Sequence, residues 1–204
     1  MNDTLQTIDD IRAEWQSNPT ATRKAEVAPS PERVDEAARD IIQRGYLPRD
    51  AAAFRVLAKH RATRTTRGVF LTGEAGTGKT AYCRTLPGIV LACGDIARAA
   101  REHGPLSVPF WYALARIYDG EHHAYTLCLD DLGSEPASVV FGERSYVLVQ
   151  VVESRHSAWE RHGTVTHITS NLTPAQIDAR YGRRVTDRLR AMCVHVELRG
   201  GSAR

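Results

Sequence analysis

Apolar residues recur at helical spacing in the first quarter of the chain. Between Ser30 and Gly45 the apolar positions fall three or four residues apart, and they are Val34, Ala37, Ala38, Ile41 and Ile42. This spacing places them on one face of an amphipathic helix. Ser30 suits the N-cap, Pro31 the first helical position and Gly45 the end of the helix. The pattern predicts a helix between Ser30 and Gly45 and a second helix over about 50–59, after Pro48.

Farther along, short apolar runs alternate with longer segments of mixed polarity. The runs predict five strands, near residues 69–72, 88–93, 126–130, 164–169 and 193–198. Strands that alternate with helices form a parallel sheet with helices on both faces. The pattern therefore predicts an α/β three-layer fold with a central parallel five-stranded sheet, preceded by a short helical N-terminal extension.

The segment from 141 to 161 contains a valine-rich run, residues 146–152, that could also form a strand. The run lies inside a long charged segment in which we find no turn signal. We therefore predict that the run 146–152 is helical.

Composition is that of an ordinary folded protein. Of the 204 residues, 42% are hydrophobic and 25% are charged, and a formal net charge of +3 is too small to establish nucleic-acid binding. No apolar run approaches the roughly 20 residues of a membrane span, and the N-terminus lacks a signal-peptide pattern. We therefore expect a cytoplasmic protein with no membrane partner. The four cysteines are scattered singly, which indicates reduced thiols in the core.

The octapeptide GEAGTGKT at 73–80 matches the phosphate-binding motif GxxxxGK[ST] at every fixed position. It follows a predicted strand and precedes a segment, 81–86, that can continue as a helix. Backbone N–H groups of such a loop hold phosphates, Lys79 reaches the β and γ phosphates, and the Thr80 hydroxyl binds Mg²⁺. The motif predicts ATP and Mg²⁺ as cofactors, although a glycine-rich turn without a ligand is the alternative. The predicted nucleotide-binding residues are Gly73, Glu74, Ala75, Gly76, Thr77, Gly78, Lys79, Thr80 and Ala81.

Two further predicted strands end in polar side chains that suit the same site. The run 126–129 ends in Asp130 and Asp131. Asp130 is predicted to bind Mg²⁺, and Asp131 stands where many such ATPases carry a glutamate that acts as general base. An acidic turn residue is the alternative for Asp131. Asn171 follows the strand at 164–169 and is predicted to sense the γ-phosphate, whereas a helix-capping loop is the alternative, with Thr173 and Pro174 already suited to supply the cap.

With these motifs and the segment RYGRRVTDRLR at 180–190, residues 50–204 resemble the DnaC/IstB-type AAA+ ATPases, which include bacterial and phage helicase loaders. The resemblance implies a P-loop NTPase (AAA+) fold, with Arg184 as an arginine finger. The ending GGSAR is similar to the closing Ser-x-Arg of the family, which implies that Arg204 is a second nucleotide sensor. The family resemblance also implies self-assembly into a head-to-tail oligomer or filament, contact with single-stranded DNA and delivery of a replicative helicase.

The favoured hypothesis is an ATP-hydrolysing AAA+ protein that assembles on single-stranded DNA and loads a replicative helicase during DNA replication. Residues 49–204 would form the ATPase domain, and residues 1–48 an arm and helix that would bind the partner. Three alternatives stay open. They are an IstB-like helper of DNA transposition, a small-molecule P-loop kinase, and a nucleotide-gated binding protein with negligible turnover.

Two residue groups are candidates for DNA or subunit contacts. The aromatic run 110–112 suits either core packing or base stacking. Five arginines cluster at 180–190 and suit either a subunit interface or contacts to DNA phosphates. They are Arg180, Arg183, Arg184, Arg188 and Arg190.

Overall fold

The computed structural model describes residues 27–63, 65–104, 113, 125–136, 138–140, 143–145 and 147–200. Three predictions therefore lie wholly or partly outside the described residues. They concern the N-terminal arm up to residue 26, the aromatic run at 110–112, and Arg204.

The predicted parallel sheet is confirmed within the described residues. Its five strands are β1 (Gly68–Thr72), β2 (Ile89–Ala92), β3 (Leu127–Asp130), β6 (Thr166–Ser170) and β7 (Cys193–Glu197). They lie in the order β2-β3-β6-β1-β7, and every neighbouring pair is parallel. The predicted strand ends agree with these within two residues. A separate antiparallel pair is formed by β4 (Ser138–Val140) and β5 (Glu143–Ser145).

The described helices flank and connect these strands. They are α1 (Pro31–Gln43), α2 (Ala51–Ala62), α3 (Lys79–Cys83), α4 (Cys93–His103), α5 (Val147–His162), α6 (Pro174–Tyr181) and α7 (Arg183–Met192). The two predicted N-terminal helices correspond to α1 and α2. Helix α2 begins where the Asp50 carboxylate accepts hydrogen bonds from two backbone N–H groups of its first turn, both at 3.0 Å.

The helix predicted for the valine-rich run is confirmed from Val147 onward by α5. Ahead of it, residues 143–145 form β5, which pairs antiparallel with Ser138–Val140. The helix predicted over 81–86 ends at Cys83, because Pro87 disfavours helical backbone at the residue before it.

Alternate residues of the strands build two hydrophobic layers, one on each face of the sheet. On one face, Val69 and Leu71 of β1 pack in a cluster with residues of α1, α2 and α3. On the other face, Phe70 of β1 and Ile168 of β6 pack in a cluster with residues of α4, α5, α6 and α7. The three-layer arrangement is therefore confirmed, and the carboxyl ends of β1, β3 and β6 meet at one edge of the sheet, where ligands bind in open α/β folds.

The four cysteines are free and buried, which confirms their prediction as core thiols. Among the described helices, none combines the length and the apolar character that crossing a bilayer requires.

Candidate functional site

The segment GEAGTGKT forms the loop after β1 and the first two residues of α3, as the motif predicts. Its backbone turns through left-handed conformations at Gly73, Gly76 and Gly78, with φ angles of 140°, 84° and 94°. A Cβ at Gly73 would lie 2.3 Å from the carbonyl oxygen of Leu198, so both the conformation and the close approach require glycine there.

Lys79 is the first residue of α3, and its side chain reaches back into this loop. Its Nζ atom donates hydrogen bonds to the carbonyl oxygens of Gly73 at 2.8 Å and Glu74 at 2.7 Å. Burial lowers the pKa of Lys79, and the nearby carboxylates of Asp131 and Asp130 oppose that shift. A buried ammonium is stabilised by a neighbouring anion, so the loop is suited to a phosphate group.

The two predicted metal ligands are in direct contact. The Thr80 hydroxyl donates to both carboxylate oxygens of Asp130, at 2.9 and 3.2 Å. The Thr169 hydroxyl donates to the same carboxylate at 2.7 Å. A hydroxyl and a carboxylate that face each other are oxygen donors of the kind that Mg²⁺ prefers, so these residues fit that ion.

Asp131, the residue after Asp130, has an unusual backbone conformation. Its φ angle is 60°, and among the described residues it is the one other than glycine with a positive φ. Its N–H donates to the Thr169 hydroxyl at 2.8 Å, and its Oδ1 accepts a hydrogen bond from Asn171 Nδ2 at 2.7 Å. Left-handed backbone costs free energy outside glycine and is often found at functional sites. Both bonds come from the carboxyl end of β6, which holds the Asp131 carboxylate in one orientation.

These side chains line one cleft of about 330 Å³ at the carboxyl edge of the sheet. Asn171 lies in it, and the cap of the following helix is supplied by a reciprocal pair of hydrogen bonds between Thr173 and Gln176. Capping therefore does not account for Asn171. The lining residues are Ala75, Gly76, Gly78, Lys79, Thr80, Ala81, Asp130, Asp131, Thr169 and Asn171.

Arg184 does not line this cleft. It lies in the first turn of α7 with 74% of its side chain exposed, and its Nε is 3.1 Å from Glu153 Oε1 on α5. The five arginines at 180–190 do not form one surface. Arg190 is buried, and Arg180 donates to the backbone carbonyl of Glu135.

Sequence reasoning missed three residues at the site. Thr169 contacts both aspartates, although only its position beside Asn171 hinted at a role. Tyr46 is buried beside the phosphate-binding loop, where a Cβ at Gly78 would lie 3.4 Å from its ring. The guanidinium of Arg49 donates to the Gly76 carbonyl at 3.5 Å. No sequence pattern signals Tyr46 or Arg49, because their contacts depend on how the segment before α2 passes the loop.

No protein-family model matches the chain, and no curated protein matches it. Solved structures do match. DnaI is 16% identical with a TM-score of 0.51, over 98% of this chain and 95% of that one. A putative primosome component from Streptococcus pyogenes serotype M3 is 18% identical with a TM-score of 0.50, over 85% of this chain and 81% of that one. The DnaC helicase loader is 18% identical with a TM-score of 0.49, over 92% of this chain and 99% of that one.

The fold is thus that of the AAA+ class of P-loop proteins, as the sequence predicts. Within that class, the similarity to DnaI and to the primosome component agrees with the resemblance to DnaC/IstB-type proteins that the motifs indicate. At these identities the likeness concerns the fold alone.

Proposed function

We propose that this chain binds ATP with Mg²⁺ and hydrolyses it, and that ATP-dependent assembly on single-stranded DNA serves to load a replicative helicase. The observation that carries the proposal is the contact between Thr80 and Asp130, which joins the phosphate-binding loop to the acidic end of β3. Lys79, Asp131 and Asn171 line the same cleft. The cleft therefore combines groups for phosphate binding, for metal binding and for proton transfer.

The residues of the loop would bind the triphosphate. Backbone N–H groups of 73–80 and the Lys79 ammonium would hold the phosphate oxygens, and Thr80 and Asp130 would hold Mg²⁺. When bound there, Mg²⁺ neutralises charge on the phosphates. Lys79 is buried, so its ammonium has lost solvent on folding. A bound phosphate would stabilise that charge in place of the lost water.

Asp131 is the proposed general base. Asn171 occupies its Oδ1, so among the described groups the second carboxylate oxygen is available to accept the proton of an attacking water. Asn171 would keep that carboxylate directed into the cleft. Aspartate is one methylene shorter than the glutamate common at this position, which is why negligible turnover remains the alternative to be tested.

The proposed partners are a replicative helicase and single-stranded DNA. The names of the matching structures connect this fold with helicase loading and the primosome. Residues 1–48 are proposed to bind the helicase, and a helicase pull-down with residues 1–45 deleted tests that assignment. An IstB-like transposition helper would share these motifs and would retain a transposase instead.

Assembly is proposed to complete the site. Arg184 is exposed and lies outside its own cleft, so as an arginine finger it would act on the nucleotide of a neighbouring copy. Contacts of that kind run head to tail and build rings or filaments. Arg204 is proposed as a second nucleotide sensor on the family resemblance.

Steady-state phosphate release, with and without single-stranded DNA, tests the proposed function. We expect turnover that rises with protein concentration and with added DNA, and that is lost in Lys79→Ala. Tight ATP binding without turnover under every condition would favour a nucleotide-gated binding protein. Turnover that requires a small-molecule acceptor and is indifferent to DNA would favour a kinase.

A further inference from the structure

Glu135 is a buried carboxylate that the proposed reaction does not use. It lies in the loop after β3, four residues beyond Asp131, and it is 1% exposed. It does not line the nucleotide cleft. Burying a carboxylate costs free energy unless hydrogen bonds replace its water, so its partners indicate what it holds in place.

The Glu135 side chain joins two parts of the fold. Its Oε2 accepts a hydrogen bond from the Gly133 N–H at 3.0 Å, within its own loop. Its Oε1 accepts a hydrogen bond from the Tyr181 hydroxyl at the end of α6. The pKa of Tyr181 is raised, first by burial and then by Glu135, so this hydroxyl stays protonated and donates. The adjoining Arg180 guanidinium is 3.8 Å from Oε1.

The loop between Asp131 and Glu135 is a tight turn. The Leu132 N–H donates to the Thr169 carbonyl at 2.8 Å, and the Ser134 N–H donates back to the Asp131 carbonyl at 3.1 Å. Gly133 has a φ of 103°, and a Cβ there would lie 2.5 Å from Leu172 Cδ1. The turn is therefore held by β6 at its start and by Glu135 at its end.

We infer that Glu135 is a positioning residue for Asp131, an inference that rests on the proposed role of Asp131 in ATP hydrolysis. Its carboxylate attaches the turn that carries Asp131 to the end of α6. The chain then passes through Gly182, with a φ of 87°, directly into α7 and Arg184. The buried Glu135 carboxylate thus connects Asp131, the proposed base of one nucleotide site, with α7, the helix that carries the proposed arginine finger of the neighbouring copy's site.

The role predicts separate effects on turnover and on binding. Glu135→Met keeps a side chain of similar length and removes both hydrogen bonds. We expect kcat to fall about 10-fold or more, because small misplacements of a catalytic group can cost up to about 100-fold. The Kd for ATP should stay within about 2-fold, since Glu135 does not line the cleft.

Two other variants separate this role from general destabilisation. In Glu135→Gln, the amide carbonyl can accept from Gly133 while the amide N–H donates to the Tyr181 oxygen, so kcat should recover to within about 3-fold of the parent. Tyr181→Phe removes the hydroxyl bond to Glu135 and leaves Arg180 of α6 in contact with it, so it should give an intermediate kcat. Ser134→Ala, at an exposed neighbouring side chain, is the matched control and should leave kcat unchanged.

Hydrogen exchange provides a readout that does not depend on turnover. In Glu135→Met, amides of 131–135 should exchange about 10-fold faster or more, whereas those of β1 should not change. Unchanged exchange in this turn would overturn the inference even if the parent protein hydrolyses no ATP. Where the parent does hydrolyse ATP, an unchanged kcat in Glu135→Met, or no recovery in Glu135→Gln, would also overturn it. A parent protein without turnover but with faster exchange in Glu135→Met would contradict the proposed hydrolysis and support the positioning role.

Discussion

At the scale of single residues, Lys79 is the cation enclosed by the phosphate-binding loop. Lys79→Ala should raise the Kd for ATP by about 10- to 100-fold, because hydrogen bonds to charged groups contribute about 1.5–3 kcal/mol. Turnover should be lost as well. Titration with a fluorescent ATP analogue measures the affinity, and Lys59→Ala, at an exposed position on α2, is the control. Unchanged affinity and turnover would contradict the assignment of this loop.

The Asp131 carboxylate carries the proposed proton transfer. Asp131→Asn should lower kcat by about 100-fold or more while ATP still binds, because the amide keeps the shape but cannot accept a proton as the carboxylate does. Asparagine also tolerates the left-handed backbone found here, so the turn should persist. Single-turnover phosphate release and ATP titration measure the two effects, with Asp95→Asn on the surface of α4 as control. Turnover that survives within a few fold would mean that Asp131 is not the base.

At the scale of elements, the pairing of β6 with β1 includes a buried imidazole. His167 Nδ1 accepts a hydrogen bond from the Val69 N–H at 3.2 Å, and burial lowers the pKa of His167 to about 3. The unfolded chain takes up this proton near pH 6.5, whereas the folded protein does not until about pH 3. The contribution to stability is therefore full above about pH 6.5 and is lost as the pH falls toward 3.

We expect the free energy of unfolding to fall by up to about 1.4 kcal/mol per pH unit below about pH 6.5 from this one group. Urea denaturation between about pH 7 and pH 5 measures the slope above the range in which most carboxylates titrate. His167→Asn should show a shallower slope, and His162→Asn, at the exposed end of α5, should keep the parental slope. Equal slopes in all three proteins would show that His167 does not control this pH dependence.

At the scale of the whole molecule, the exposed position of Arg184 predicts a site shared between copies. An arginine finger supplied in trans accelerates hydrolysis by about 10³ to 10⁵. Lys79→Ala and Arg184→Ala should each be inactive alone. Mixed together, an intact loop on one copy can meet an intact Arg184 on another, so phosphate release should recover well above the sum of the separate variants.

The mixing experiment needs an independent measure of assembly, such as sedimentation of the mixture at each ratio. Arg39→Ala, at an exposed arginine of α1, is the control and should be active without mixing. If mixed assemblies form and no ratio restores turnover, Arg184 acts within its own chain or serves a different contact.

The local amino-acid sequence determined the phosphate-binding loop and most of the helices and strands. The residues of 73–80 are contiguous, and their glycines, lysine and threonine can be recognised without knowing what surrounds them. The period of apolar residues likewise predicted the parallel strands and the N-terminal helices, because burial on one or both faces constrains which positions are apolar. The antiparallel pair of β4 and β5 was not predicted, because a partner strand rather than a local period decides the conformation of residues 143–145.

Only the tertiary structure decided which distant residues meet. Thr80 and Asp130 are 50 positions apart and Thr169 is 39 positions beyond Asp130, and the strand order β3-β6-β1 brings both threonines into contact with Asp130. Glu135 and Tyr181, 46 positions apart, meet because the loop after β3 packs against the end of α6. A hydrogen-bond partner across a sheet leaves no periodic signal in either segment, because the bond depends on strand order and register rather than on spacing along the chain.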